Sequence, residues 1–155
     1  MRDVAVIIPT LRRTDSLERA LRSVFAQAEA LGRVSAVVVA DNDPDGSAGP
    51  LVMRLAADAP VALTYAHAPV PGVATARNVG LAATDAPLIA FLDDDDTWLP
   101  GKLEAQLRRF EEKPDAIIVG TAMVVDDGEN RIVRRVPSDD LTHEDFLRNR
   151  NPGLH

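Results

Sequence analysis

Short apolar runs alternate along the chain with longer segments of helical periodicity. The apolar runs predict five strands, at residues 4–8, 34–40, 61–65, 88–92 and 116–125, the last with a bend near Gly120. A continuous apolar run such as residues 88–92 is typical of a strand that is buried on both faces, as in a parallel sheet. The alternation therefore indicates strands joined by crossover helices.

Four segments between these strands are predicted to be helices. The first has Asp15 as its N-cap, Glu18 three residues later and Gly32 as its stop. Its apolar residues recur at helical spacing and are Leu17, Leu21, Val24, Phe25, Ala28 and Leu31. The other three are predicted at residues 51–57, at residues 74–83 and from Pro100 onward. A further short helix is predicted after the last strand, at residues 142–149.

The order of these elements is β-α-β-α-β-α-β-α-β, which predicts an α/β fold with a mainly parallel sheet and helices on both faces. Residues 126–130 are predicted to form a hairpin-like turn. With 155 residues, the chain has the length of one domain with its own core. We therefore expect residues 1–155 to form a single domain.

Composition and charge narrow the function classes. Apolar residues make up 46% of the chain and charged residues 26%, as in ordinary globular proteins. The formal net charge of -7 argues against a general nucleic-acid binder, which usually presents a basic face. Cysteine is absent, which excludes disulfides and thiolate zinc sites. No apolar stretch is long enough for a signal peptide or a membrane span, so we expect a cytoplasmic location. The alanine- and arginine-rich composition is typical of a GC-rich bacterial source.

The acid run, Asp93 to Asp96, follows the predicted strand at residues 88–92 directly. Four adjacent carboxylates repel one another, and burying one unpaired carboxylate is expensive, so a cation is expected nearby. Hard oxygen ligands suit Mg²⁺ or Mn²⁺, which are commonly shared with a phosphate ligand. Helix capping alone would need one acid and not four. The run therefore predicts a site for a divalent metal ion and a diphosphate.

Polar residues also follow the first two predicted strands. Thr10, Arg12 and Arg13 follow the first strand, and Asp41 ends the second. The carboxyl ends of parallel strands lie at one edge of a sheet, where ligands bind in open α/β folds. Asp41 can accept hydrogen bonds from a base or ribose, and Arg77 can recognise phosphate. The alternatives are that Asp41 is a turn residue and that Arg77 forms a surface ion pair.

Other ligand motifs are incomplete. Asp41, Asp43, Asp45 and Gly46 imitate the start of a calcium loop, but the twelfth position is Val52 and not glutamate. The chain has no glycine-rich dinucleotide fingerprint after the first strand and no Walker-type loop. The three histidines have no metal-ligand spacing.

Four segments together resemble the successive motifs of family 2 glycosyltransferases: residues 4–10, 38–42, 72–78 and 91–100. The resemblance runs from about residue 4 to residue 107, and the acid run followed by Trp98, Leu99 and Pro100 is its most specific part. It implies the Rossmann-like GT-A fold and an inverting transfer of sugar from a nucleotide-diphospho-sugar to an acceptor hydroxyl. It also implies Mg²⁺ or Mn²⁺ as cofactor and a UDP-sugar as the favoured donor.

The resemblance also implies a role for each matching residue. Pro9 and Thr10 would line the nucleotide pocket, and Asp41 would accept a hydrogen bond from the base. Arg12 is added as a nucleotide-binding candidate because it follows the first strand. The remaining residues would lie near the diphosphate: Arg77 on the nucleotide side, Asp93 and Asp94 near the ribose and metal, and Asp95 as the direct metal ligand of a DxD motif formed with Asp93. Asp96 would lie further from the metal.

The catalytic base of this family lies in an acceptor-binding half, which the sequence does not show. We therefore expect residues 1–155 to be a nucleotide-sugar-binding portion that ends before that half, and the general base remains unassigned. One alternative is a binding module that holds a nucleotide or nucleotide-sugar without catalysis. Another is a nucleotidyltransferase, but that class needs a glycine-rich basic loop after the first strand, where residues 10–15 contain no glycine.

Overall fold

The computed structural model describes residues 4–135 of the chain. The strands are β1 (Val4–Thr10), β2 (Val34–Asp41), β3 (Leu63–His67), β4 (Leu88–Phe91), β5 (Met123–Asp126) and β6 (Arg131–Arg134). The helices are α1 (Thr14–Phe25), α2 (Gly49–Ala56), α3 (Val73–Ala82) and α4 (Lys102–Glu112), with a 3₁₀ turn at Leu31–Arg33. The predicted alternation of strands and helices is confirmed, and the predicted helix at residues 142–149 lies outside the described residues.

The first four strands form a parallel sheet in the order β3-β2-β1-β4. From β1 the chain builds β2 and β3 on one side, and β4 then pairs with β1 on the other side. The order therefore reverses at β1, and open α/β sheets bind ligands at such a switch point. The α/β fold with a mainly parallel sheet and flanking helices is confirmed.

The core lies around the two central strands. All seven residues of β1 and six of the eight residues of β2 are buried. The prediction that residues 88–92 are buried on both faces is wrong for β4, which pairs only with β1 among the described strands. Its side chains are half-buried, and Phe91 is 44% exposed.

Helix α3 packs unusually close to β1. A Cβ atom on Gly80 would overlap the side chain of Ile7, so only glycine fits this contact. The helix is therefore held directly against the central strand, and α3 carries Arg77.

Helix α1 is shorter than predicted. It begins at Thr14, so Asp15 lies in its first turn and is not the N-cap, and it ends at Phe25 and not at Gly32. Beyond this end Gln27 turns inward and is buried, whereas Leu31 belongs to the 3₁₀ turn. Tertiary hydrogen bonds of Gln27 therefore replace the last predicted turns of the helix.

The chain forms two compact units that divide after Glu104. The sheet and helices α1 to α3 belong to the first unit. In the second unit, Gln106 Nε2 donates to the backbone oxygen of Val119 at 2.6 Å, and β5 and β6 form an antiparallel hairpin. The predicted hairpin turn is confirmed, but the predicted strand at residues 116–125 is wrong for residues 116–122, which form no strand. That residues 1–155 act as a single nucleotide-sugar-binding domain stays a prediction.

Candidate functional site

The acid run lies beside the end of β1. Leu92, the residue before the run, donates its backbone N–H to the carbonyl of Ile7 at 3.1 Å. On the other side of β1, Thr10 is the register partner of Asp41. The topology thus brings the ends of β1, β2 and β4 to one edge of the sheet, as the sequence predicts.

Asp94 is the buried member of the acid run. Its side chain is 9% exposed and accepts a hydrogen bond from Thr10 Oγ1 at 2.7 Å. Arg13 Nη1 lies 3.4 Å from the other carboxylate oxygen. Two donors compensate for the burial of this charge. Asp94 therefore fastens the acid run to the end of β1, and its predicted approach to a ribose stays a prediction.

Asp93 and Asp95 each bind a different arginine. Arg13 Nη1 donates to Asp95 Oδ2 at 2.6 Å, and both side chains are more than half exposed. Arg77 Nη2 donates to Asp93 Oδ1 at 2.7 Å, and both side chains are about one-third exposed. The two arginines provide the cationic partners that four adjacent carboxylates require.

Arg77 retains one unused donor. Its Nε is buried without a hydrogen-bond partner, while its guanidinium carbon lies 5.8 Å from the centre of the Phe91 ring. A buried N–H without an acceptor is costly, so an oxygen acceptor of a ligand would fit here. Arg77 thus combines a carboxylate contact with a free donor at the same place.

Asp96 has a raised pKa and so ionises less readily than an ordinary aspartate. Burial raises its pKa above the usual range, and the neighbouring charges of Asp95 and Asp93 raise it further. Its backbone N–H donates to the carbonyl of Asp93 at 3.1 Å, which closes a turn within the run.

Asp41 is fully buried and engaged within the protein. Its Oδ1 accepts from the backbone N–H of Asp43 at 3.0 Å, and its Oδ2 accepts from Ala48 N–H at 2.8 Å and Tyr65 OH at 3.1 Å. Burial, with the charge of Asp41, raises the pKa of Tyr65 to about 12, so the phenol stays protonated and donates. These bonds agree with the alternative prediction that Asp41 is a turn residue. Its contact with a base stays a prediction.

Arg12 and Arg13 point to different partners. Arg12 has a φ of 57°, which is uncommon for a residue other than glycine. Its guanidinium binds Asp43 through Nε at 3.0 Å and Asp45 through Nη2 at 3.1 Å. The hydrogen bond from Arg12 lowers the pKa of Asp43 to about 2. Arg12, which the sequence assigns to the nucleotide, thus joins the end of β1 to the loop after β2.

Asn42 organises the loop that leads into α3. Its Nδ2 donates to the carbonyls of Ala68 at 2.6 Å and Val70 at 2.7 Å, and its Oδ1 accepts from Gly72 N–H at 2.8 Å. Gly72 has a φ of 128°, which favours glycine, and it precedes the first turn of α3. Asn42 therefore places the start of the helix that carries Arg77.

The structure brings most of the predicted site residues together. Thr10 and Asp94 are hydrogen-bonded, Arg77 holds Asp93, and Pro9 is buried in β1 beside them. The residues that the sequence assigns to the nucleotide and the metal do not include Arg13, which contacts both Asp94 and Asp95. Two adjacent arginines in a loop give no sequence signal for which one turns toward the acids.

The donor set fits a divalent metal ion that is shared with a ligand. Within residues 4–135, no group of three or more histidine, cysteine, aspartate or glutamate side chains is close enough to hold a metal alone. Mg²⁺ is usually bound by one or two carboxylates together with substrate phosphates and waters, and Asp93 and Asp95 can supply the carboxylates.

In this described part of the chain, no helix has the length and apolarity needed to cross a membrane.

Comparisons with known proteins identify the family and the fold of the chain. The sequence model of Glycosyl transferase family 2 matches residues 5–154. The chain is 34% identical over 134 residues to the pre-mycofactocin glycosyltransferase of Mycobacterium tuberculosis, and this match covers 86% of the chain but only 26% of that relative. The chain thus spans about a quarter of the length of this relative.

Solved structures share the fold. S. aureus TarS 1-349 in complex with UDP matches with a TM-score of 0.62 at 21% identity, over 71% of this chain and 32% of that one. The mannosyltransferase PcManGT from Pyrobaculum calidifontis, in complex with GDP-Man and Mn²⁺, matches with a TM-score of 0.60 at 25% identity, over 76% and 33% of the two chains. These likenesses confirm the predicted Rossmann-like GT-A fold.

Proposed function

The chain belongs to glycosyl transferase family 2, and we propose that it binds a nucleotide-diphospho-sugar together with Mg²⁺ or Mn²⁺ for inverting transfer to an acceptor hydroxyl. The observation that carries this proposal is the convergence of three carboxylates and two arginines at the switch point of the sheet. Arg13 and Arg77 reach the acid run from two different elements, and Thr10 fastens it to β1. A diphosphate needs this combination of cationic donors and metal-binding oxygens.

In this proposal Asp93 and Asp95 hold the metal ion. When bound, the ion stabilises the negative charge that develops on the departing nucleoside diphosphate. Arg77 offers its unpartnered Nε to a phosphate or ribose oxygen while Nη2 stays on Asp93. Arg13 has its guanidinium more than half exposed and can turn toward the phosphates.

The nucleotide lies, in this proposal, between the ends of β1 and β2. Pro9, Thr10 and Arg12 form the β1 side, and Asp41 forms the β2 side. Uridine is our choice of base, since the resemblance favours it and the related TarS structure is described with UDP. The PcManGT structure is described with GDP-Man, which makes GDP the second nucleotide to test.

The acceptor hydroxyl attacks the face of the sugar opposite the diphosphate, helped by a carboxylate base. We assign no base among residues 4–135; Asp93 and Asp95 are bound by arginines and, in the proposal, hold the metal. The alternative remains a module that binds the nucleotide-sugar without transfer, and a transfer assay with the bound donor separates the two.

Calorimetric titration with UDP and GDP, with and without Mn²⁺, tests the proposal. We expect one nucleotide to bind, and Mn²⁺ to tighten that binding by at least about tenfold in the wild-type chain and not in Asp95→Asn. Asp58→Asn makes the same change at an exposed aspartate in the turn after α2 and is the matched control. Nucleotide binding that is equally tight with and without Mn²⁺ would contradict the metal-bridged site. So would an equal loss of the Mn²⁺ effect in Asp58→Asn and Asp95→Asn.

A further inference from the structure

Gln27 is a buried amide whose bonding partners lie far away in the sequence. It is 2% exposed, its Nε2 donates to the carbonyl of Leu99 at 3.0 Å, and its Oε1 accepts from Leu103 N–H at 3.1 Å. Nε2 also lies 3.2 Å from the carbonyl of Ser23. Burying an amide is costly unless its hydrogen bonds are made, and here the donor and the acceptor are both used.

Ser23 lies in the last turn of α1, four residues before Gln27, and contacts the same distant segment. Its Oγ accepts from the backbone N–H of Trp98 at 3.0 Å and donates to the carbonyl of Ala20 at 2.7 Å. Ser23 and Gln27 thus hold three backbone groups within residues 98–103, and we call this pair the clamp.

The clamp fixes the far end of the segment that contains the acid run. The near end is fixed by the bond from Leu92 N–H to the Ile7 carbonyl and by the contact of Thr10 with Asp94. Only residues 95–97 lie between Asp94 and the clamped Trp98. A shift of Trp98 would therefore reach Asp95 through only two intervening residues.

The clamp also satisfies the start of α4. The first N–H groups of a helix have no partner within the helix. Gln27 Oε1 accepts one of them, the N–H of Leu103. The carbonyl of Leu99, just before this helix, is bound by the same amide. One side chain therefore binds the backbone at both Leu99 and Leu103, between the acid run and the first turn of α4.

We propose that Ser23 and Gln27 are positioning residues for the metal–diphosphate site, acting through Trp98 and Leu99 on the acid run. This inference rests on the proposed function, because the acid run is taken there to hold the metal. Neither residue touches the ligand in this proposal. Their substitution reduces the metal-dependent part of nucleotide binding and leaves the metal-independent part nearly unchanged.

The test compares Gln27→Met, which has a similar volume and no hydrogen bonds, with Ser23→Ala and with Ser23→Thr, which keeps the hydroxyl. Val34→Ala is the stability control, because Val34 is fully buried at the opposite end of β2. The tightening of UDP or GDP binding by Mn²⁺ should fall about tenfold in Gln27→Met and Ser23→Ala, as for other supports of metal ligands. It should be retained in Ser23→Thr and in Val34→Ala.

A second measurement separates this inference from the proposed function. Backbone amide resonances of residues 93–97 should shift in Gln27→Met and Ser23→Ala without any ligand, and not in Val34→Ala. Unshifted resonances, or equal loss of binding with and without Mn²⁺, would overturn the positioning role. If the resonances shift while the wild-type chain shows no Mn²⁺-dependent binding, the proposed function fails and the control of the acid run by the clamp stands.

Discussion

Arg13 and Asp95 form an ion pair at 2.6 Å that joins the loop after β1 to the acid run after β4. The two residues are 82 positions apart, and both are more than half exposed. The same Arg13 nitrogen lies 3.4 Å from Asp94. A single guanidinium therefore partners the buried and the exposed carboxylates of the run.

This pair leads to a first prediction about metal binding. An exposed ion pair is weak, but it occupies the carboxylate that is proposed to bind the metal. In Arg13→Gln we expect Mn²⁺ to bind up to about fivefold more tightly without nucleotide, measured by electron paramagnetic resonance. Arg19→Gln, an exposed change on α1, is the control. Weaker Mn²⁺ binding in Arg13→Gln would show that the arginine orients Asp95 for the metal.

Arg77 gives a prediction about geometry and not charge. Lysine keeps the positive charge but cannot bind Asp93 and offer a second fixed donor as the guanidinium does. We expect Arg77→Lys to weaken UDP or GDP binding by roughly tenfold, as loss of a charged hydrogen bond does. Arg54→Lys, at the exposed pair with Glu18, should leave binding unchanged in the same titration. Equal binding by wild type and Arg77→Lys would remove Arg77 from the site.

The Arg12–Asp43 pair predicts the response to acid. The folded pKa of Asp43 is about 2, below the usual 3.8, because Arg12 hydrogen-bonds to it. The pair therefore contributes its full stability above about pH 4, and this contribution is lost as the pH falls toward 2. In Arg12→Gln, acid unfolding followed by circular dichroism should begin at a higher pH. An unchanged acid midpoint would mean that the pair contributes nothing to folding.

Lys102 predicts a change of stability in the alkaline range. Its Nζ lies 3.8 Å from the centre of the Trp98 ring, and burial lowers its pKa from 10.5 to about 8. Between these values the unfolded chain binds the extra proton, so the contribution of Lys102 to stability rises with pH. Lys102→Met should be more stable than wild type at pH 7 by roughly 1–3 kcal/mol, less any lost cation–π contact, and the difference should shrink by pH 10.

Urea unfolding at pH 7 and pH 10 measures this difference. Trp98 is the only tryptophan of the chain, so its emission should titrate near pH 8 in wild type and not in Lys102→Met. The prediction is wrong if the stability difference between the two proteins is the same at both pH values.

Gly80 gives a prediction about packing. A methyl group at this position would overlap the side chain of Ile7, and overpacking of this kind costs typically about 1–3 kcal/mol. Gly80→Ala should be destabilised by that amount in thermal or urea unfolding, and the loss should be smaller in an Ile7→Ala background, which lacks the overlapping Cγ2 methyl group. Gly32→Ala, with no atom within 4 Å of the added group, should be close to neutral. A stable Gly80→Ala would show that α3 can move away from β1.

The order of the elements could be predicted because it depends on short-range patterns. The runs at β1 and β2 and the helical spacing from Leu17 to Val24 are visible within a few residues. Local patterns were wrong where distant bonds compete. Helix α1 stops at Phe25, and Gln27 just beyond it binds Leu99 and Leu103. Strand β4 is the outermost strand of the described sheet, and its side chains are half-buried.

By itself, the sequence determined that acids follow β4 and that Thr10 and Asp41 end neighbouring parallel strands, since the carboxyl ends of such strands share one edge. Only the tertiary structure decided that Arg13, and not Arg12, reaches the acid run. It also decided that the Asp41 carboxylate accepts hydrogen bonds from Ala48 N–H and Tyr65 OH. The physical reason is distance along the chain. Strand and helix patterns depend on neighbours two to four residues apart. The bonds from Arg13 to Asp95 and from Tyr65 to Asp41 join residues 82 and 24 positions apart. Such bonds depend on strand register, on the left-handed backbone of Arg12 and on how the loops close.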